Sequence, residues 1–204
     1  MIPQSQWAQI IARDPAHSQR YIDRFAMLAA QGQDLVGEAR LIDAMVARGS
    51  TILDAGCGPG RHCGYLHHAG HRVVGVDLDP ALIAEAERAE PGPDYLVGDL
   101  SDFALPAELP QQFDAILCAG NVLGFAHPLT RRPILAAFAA RLAPEGRAVV
   151  GFGSGRGYDF DEFFADVDAV GLRREQTFST WDLRPYAPGA GFVVALLGRS
   201  STRS

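Results

Sequence analysis

Three cysteines, Cys57, Cys63 and Cys118, are too few and odd in number for a disulfide framework, and a reducing cytoplasm is the expected home. No apolar run reaches the roughly 18 residues that a membrane span needs. Met1 to Trp7 lacks the basic start and apolar core of a secretion signal, so no membrane partner is expected. Neither sign of charge forms a long run. The balance of 18 basic against 24 acidic residues leaves −6, which argues against a broad nucleic-acid footprint. His67, His68 and His71 do not fall at zinc-ligand spacing, and no metal is expected. Repeats, low-complexity tracts and Pro/Ser-rich linkers are missing as well. The 204 residues therefore read as one domain with one substantial core, as a monomer or homodimer.

What is present is concentrated in Ile52-Leu53-Asp54-Ala55-Gly56-Cys57-Gly58-Pro59-Gly60-Arg61. An apolar run ends in an acid and enters a glycine turn, the pattern of a buried strand whose following loop lets a ligand approach the backbone. Val73-Val74-Gly75-Val76-Asp77 repeats the apolar run with a terminal acid. Asp77 lies 21 positions after Gly56, near the spacing at which a nucleotide-binding βαβ unit places an acid on a ribose.

The rest of the chain supports an α/β layout. Asp14-Pro15 predicts a helix start, with Tyr21, Ile22, Phe25, Met27 and Leu28 on one stripe and Gly32 as the stop. A second helix is expected from about 35 to 48. Strands are expected at 51–55, 72–77, 94–97, 113–119 and 148–152, with helices at 61–69, 81–90, 129–142 and 159–170 between or after them. Asp79-Pro80 is the start signal of the helix at 81–90. Pro144-Glu145-Gly146 reads as a turn, and 172–178 and 191–197 as two further strands forming an antiparallel edge. Residues 1–50 form an N-terminal helical cap within the same domain, 51–198 the ligand-binding part, and 199–204 a frayed tail. Alternating strands and helices imply a mostly parallel sheet covered on both faces.

The glycines fall as G-x-G-x-G, with Arg61 where a dinucleotide fold would have its third glycine. The stretch D-A-G-C-G-P-G-R, with V-D-L-D-P downstream, resembles the class I S-adenosylmethionine (SAM) methyltransferases. The resemblance covers about 51–197 and implies a Rossmann-like seven-stranded sheet of order 3-2-1-4-5-7-6, its last strand antiparallel. It implies SAM as cofactor and S-adenosylhomocysteine as product. Gly56, Gly58 and Gly60 would leave room for the methionine end and offer their amides to its carboxylate. Asp54 would reach the ammonium group or else tie down loop amides. Asp77, followed by Leu78, would take the ribose hydroxyls, while Asp79 reads as an exposed helix cap. Asp99 and the Leu100 amide would take the adenine, and Ala119 and Asn121 would line the cleft. Tyr21 and Arg24 lie on a helix that, in relatives, covers the cofactor as a lid.

The acceptor end is thinner. Cys118 follows Leu117 rather than the proline that precedes the nucleophile of 5-methylcytosine enzymes, and the apolar run around it favours a buried thiol. The D/N/S-P-P-Y/F signature of amino-methylating DNA enzymes is missing, and A-G-N-V-L is more like small-molecule enzymes. His127 and His62 are the best-placed proton acceptors. Tyr158 follows a glycine-rich stretch expected at the site mouth, and Trp181 and Arg184 could face substrate. No catalytic side chain is assigned beyond the candidates His127 and Tyr158. The expected activity is methyl transfer to a small-molecule acceptor. The alternatives are a non-catalytic SAM-binding protein or a nicotinamide-dependent oxidoreductase on a similar fold.

Overall fold

The computed structural model describes residues 3–200. Three helices come first: α1 (Gln6–Arg13), α2 (His17–Ala30) and α3 (Gly37–Met45). Then follow β1 (Thr51–Ala55), α4 (Arg61–His68), β2 (Arg72–Asp77), α5 (Pro80–Ala89), β3 (Asp94–Val97) and β4 (Phe113–Cys118). The chain continues through α6 (Val122–Phe125), α7 (Pro128–Arg141), β5 (Leu142–Gly153), α8 (Phe160–Ala169), β6 (Leu172–Phe178) and β7 (Phe192–Arg199). The strands form one sheet of order β3-β2-β1-β4-β5-β7-β6, parallel except for β7, which runs antiparallel to both β5 and β6.

Strand alternation sends neighbouring residues to opposite faces, and each face buries its own apolar set. Leu53, Val74, Ile116 and Val150 pack with Leu135 and Phe138 of α7 and Phe163 and Val167 of α8. Ile52, Val73, Leu117 and Val149 pack with Ala39 and Ile42 of α3, Cys63 and Leu66 of α4 and Ile83 of α5. No helix among the described residues is long and apolar enough to cross a membrane.

The N-terminal segment departs from expectation. Ser5 caps α1 by accepting from the Ala8 amide at 3.1 Å, a short helix that the sequence reading left out. Asp14 then closes α1, its amide donating to Ile10, instead of capping α2 through its side chain. Its carboxylate pairs with Arg20 one turn into α2. Ser18 of α2 is buried and Tyr21, Ile22, Phe25 and Leu28 are half-buried along the expected stripe, whereas Met27 is 52% exposed. By contrast Asp79 does cap α5, accepting from Ala81 at 2.9 Å. It is not exposed: 2% of its surface reaches solvent.

The other revisions are local. A one-turn helix, α6, precedes α7. Pro144-Glu145-Gly146 lies inside β5, where the pairing with β4 shifts register between Phe113 and Ala115. The expected frayed tail falls partly within β7, which extends to Arg199, and 201–204 lie outside the described residues.

Candidate functional site

The carboxyl ends of β1 to β4 open into a cavity of about 490 Å³, within the range of small-molecule sites. The glycine loop after β1 forms its floor. The Gly56 and Cys57 amides donate to the Val76 carbonyl at 2.8 and 3.1 Å, and the Gly60 amide to Cys57 at 3.1 Å. Gly58 donates to Asp77 Oδ2 at 2.9 Å. The loop is thus fastened to the end of β2, with its amides already satisfied inside the protein. Glycine is required at two positions for different reasons. A Cβ on Gly56 would overlap Val122 of α6, and Gly60 adopts φ +85° with the Ala86 side chain beside it.

Asp77 sits on the cavity wall with each carboxylate oxygen holding one backbone amide, Gly58 on Oδ2 and Asp79 on Oδ1 at 2.9 Å. A carboxylate oxygen has lone pairs to spare, so both can still accept from a ligand diol. Burial pushes this carboxyl up to about 6 against the pull of those two amides. Asp99 also borders the cavity. Its Oδ1 takes the Ser101 amide at 2.8 Å and hydroxyl at 2.6 Å, which leaves Oδ2 for a ligand donor. Two acids at the ends of adjacent strands, Asp77 as the last residue of β2 and Asp99 just after β3, thus face one space.

The opposite wall comes from α1 and α2. Trp7 Nε1 donates to Asp79 Oδ2 at 2.9 Å, and the Ser18 hydroxyl to the same oxygen at 2.5 Å. Because the Asp79 amide binds Asp77, the helices hang from the residue next but one to the cavity acid. Tyr21 lies 3.8 Å from where a Gly58 side chain would begin, so its ring covers the loop. Trp7 meets the Tyr21 and Phe125 rings edge-on, at 5.2 and 6.0 Å between centroids.

Of the residues singled out from the sequence, Gly56, Gly58, Asp77, Leu78, Asp99, Leu100, Ala119, Tyr21 and Arg24 border this cavity. Asp54, Gly60 and Asn121 do not. Asp54 is buried beneath the loop, accepting from Cys63 Sγ at 3.3 Å and lying 3.8 Å from His62 Nδ1. It therefore neither reaches the cavity nor ties down the loop amides, and burial pushes its carboxyl up. Asn121 takes φ +65° and accepts from the Gly153 amide at 2.7 Å, joining the ends of β4 and β5. Its two neighbours in sequence, Gly120 and Val122, line the cavity instead.

The candidate proton acceptors are displaced as well. His127 Nδ1 accepts from the Leu129 amide at 3.1 Å, making it the N-cap of α7. Tyr158 is 1% exposed; its ring stacks on Phe152 and its hydroxyl donates to Asp166 at 2.9 Å. The site mouth expected there is filled instead by Arg156. Burial raises the Cys118 thiol far above its ordinary range, as suits a packed core group. Trp181 packs against Gly151 of β5, and neither it nor Arg184 borders the cavity. His62 does border it, close to Glu38 on α3. Burial opposes ionisation of Glu38, yet the His62 hydrogen bond and the charges of His62 and Arg61 hold it down at about 2.

Sequence reasoning missed Trp7, His17, Phe125 and Arg156, which line the cavity from α1, the start of α2, α6 and the loop after β5. The helical cap offered one signal, an aromatic at position 7 just inside a serine-started helix.

The cavity fits an adenosine-bearing ligand on this structure's own terms. It offers two carboxylates with free lone pairs, a floor without side chains and aromatic cover. Known proteins agree. A methyltransferase-domain family description matches residues 52–146. A dTDP-3-amino-3,6-dideoxy-alpha-D-glucopyranose N,N-dimethyltransferase of Streptomyces fradiae is 32% identical over 125 residues, 59% of this chain and 48% of that protein. A malonyl-[acyl-carrier protein] O-methyltransferase of Pectobacterium atrosepticum is 35% identical over 106 residues, 52% of this chain and 40% of that protein. The chain spans about half or less of the length of these curated relatives. A solved TehB-like SAM-dependent methyltransferase from Corynebacterium glutamicum is 48% identical, with TM-score 0.86 over 92% of this chain and 100% of that one. With 48% identity to a protein of that class, covered over its whole length, the chain belongs to the SAM-dependent methyltransferases.

Proposed function

We propose that the protein transfers a methyl group from SAM to a small-molecule acceptor. The observation that carries this reading is the pair Asp77 and Asp99, held by backbone amides and Ser101 at one end of a cavity floored by glycines. SAM, when bound, supplies a methyl group on a positively charged sulfur. The chain's part is to bind, align and dry the site, which accounts for much of the acceleration of an in-line displacement. Asp77 accepts from the ribose hydroxyls, Asp99 Oδ2 from the adenine amino group, and Leu78 and Leu100 border the same cavity. Tyr21 closes over Gly58, while Trp7 and Phe125 keep water from the far end.

No side chain is assigned as a general base, since His127 caps a helix and Tyr158 is in the core. His17 and His62 are the imidazoles that border the cavity. The relatives named above methylate an amino sugar and a carrier-bound malonyl group; this chain's acceptor is placed in the broader class of small metabolites. The three cysteines are free and buried, which supports a cytoplasmic setting. The acidic net charge supports an acceptor other than nucleic acid. Oligomeric state is taken as monomer or homodimer.

Incubation with isotopically methyl-labelled SAM and a metabolite extract, read by mass spectrometry, tests the activity. The expected result is label in a small molecule together with stoichiometric S-adenosylhomocysteine. Calorimetric titration showing no SAM binding, or label appearing only in nucleic acid, overturns it.

A further inference from the structure

Charge is distributed unevenly around the cavity. The acids on its wall, Asp77 and Asp99, lie at the ends of β2 and β3 at one side of the sheet, whereas four arginines, Arg20, Arg24, Arg61 and Arg156, border the remainder. Two of these are already engaged. Arg20 pairs with Asp14, and Arg61 donates to the Leu35 carbonyl and lies 3.6 Å from Glu38. Among the described residues, Arg24 and Arg156 have neither an ion-pair nor a hydrogen-bond partner.

SAM carries one carboxylate. The amides of Gly56, Cys57, Gly58 and Gly60 already donate to Val76, Asp77 and Cys57, which leaves the α4 N-terminus and the cavity arginines to receive it. Arg24 lies three residues beyond Tyr21, on the helix that covers the loop. One unpartnered guanidinium, Arg156, is left over.

Arg156 is exposed, but its stem is packed at the cavity rim. Gly124 of α6 makes room for its stem: a Cβ there would lie 3.0 Å from Arg156 Cδ and 3.2 Å from its Cβ. The guanidinium then sits over the Phe125 ring, 5.5 Å from its centroid. Arg156 follows β5 and Phe125 follows β4. In the order β3-β2-β1-β4-β5 they fall beyond the glycine floor, opposite the two acids. With strands about 4.8 Å apart, β3 to β5 spans roughly 19 Å. Adenosine over β3 and β2 and the methionine end over β1 leave the ends of β4 and β5 for the second substrate. Phe125 borders that end, and the Trp7 indole, hung from Asp79, meets its ring edge-on.

We propose that the methyl acceptor is a small acid with a flat, apolar body, its carboxylate paired with Arg156 and its body against Phe125 and Trp7. This deepens the methyl-transfer reading and rests on it. A guanidinium offers two parallel N–H groups to a carboxylate, so one arginine suffices for a monoanion. It also keeps the acceptor's charge away from Asp77 and Asp99, which sets the orientation.

The test uses the whole chain saturated with S-adenosylhomocysteine, whose binding is measured first by calorimetry. Indole-3-carboxylate and the neutral indole-3-carboxamide are then titrated as probes, with inorganic phosphate as an anion control. The acid should bind about tenfold or more tightly than the amide, as expected for a charge-assisted pair. Arg156→Gln should erase that ratio, Arg156→Lys should restore part of it, and both should keep the affinity for S-adenosylhomocysteine. Phe125→Leu should weaken both probes alike. Equal affinities, a ratio that survives R156Q, no binding of either probe, or full displacement of the acid by equimolar phosphate overturns the acid-acceptor proposal alone. Failure to bind S-adenosylhomocysteine overturns the methyltransferase reading beneath it.

Discussion

The two walls of the cavity are held by different kinds of connection. On the strand-end wall, Asp77 is fixed by the Gly58 amide, 19 residues away, and by the Asp79 amide, two residues on; Asp99 is fixed by Ser101, two residues on. On the helical wall, Trp7 and Ser18 reach Asp79 across 72 and 61 residues. The first wall uses short-range donors, mostly backbone amides, within two consecutive βαβ units. The second is assembled by tertiary packing of short helices that bury little, with Ser18 the single buried residue of α2. On the proposed reading, cofactor recognition rests on the wall with short-range support, and enclosure on the wall without it.

Breaking the strand-end wall should have the largest effect. Asp77→Ala removes two ligand hydrogen bonds to a charged acceptor, each worth about 1.5 kcal/mol or more, and should lower S-adenosylhomocysteine affinity about a hundredfold by calorimetry. An unchanged affinity would remove Asp77 from the site. The same residue sharpens the comparison through pH. Its carboxyl is raised from 3.8 to about 6 in the folded chain. The folded state therefore holds this proton more tightly than the unfolded one. This group's contribution to stability is full below 3.8 and declines as pH rises through about 6. Ligand affinity has the opposite sign, because the ribose needs the ionised acceptor: it should rise as pH rises through about 6. In Asp77→Asn the residual affinity should be flat across that interval.

The helical wall should break with a smaller effect on affinity and a larger one on motion. Asp79→Ala removes the α5 cap and the shared acceptor of Trp7 and Ser18, and should cost about 2–3 kcal/mol in denaturant unfolding. Amide exchange should accelerate in α1 and α2 while the glycine loop stays protected; uniform acceleration would show that the walls are not separable. Tyr158→Phe probes a region outside both. It loses the bond to Asp166 and should cost about 1 kcal/mol with kcat and KM unchanged. His127→Ala should do least, about 0.5–1 kcal/mol from a lost cap and no change in turnover at any pH. A fall in kcat would return it to the list of proton acceptors.

The same division explains what could be read from residue order. The β1–loop–β2 unit was legible because its meaning is local: an apolar run, an acid, glycines, then a second acid at fixed spacing. Seven strands and their order were recovered with help from the family resemblance, and most boundaries fall within a few residues. Asp14-Pro15 looked the same as Asp79-Pro80, but only the latter caps through its side chain, because Arg20 is within reach of the Asp14 carboxylate. From its place near the end of β1, Asp54 reads either as a ligand acid or as a tie for loop amides. Strand alternation decided otherwise and turned it toward Cys63 and His62 on α4. The glycine-rich stretch before Tyr158 points to the site mouth, yet the ring is buried against Phe152. Trp7, Phe125 and Arg156 carry no shared spacing at all; packing of α1, α6 and the loop after β5 brings them to one cavity.

The glycine loop has one further consequence. Since the Gly56, Cys57, Gly58 and Gly60 amides are bonded before any ligand arrives, the floor has no folding left to do, and encounter with it is a docking event. Both α1 and α2 also bond to one oxygen, Asp79 Oδ2, through an indole and a hydroxyl. A single carboxylate thus ties two helices to the strand-end side, and loosening it is expected to free both together.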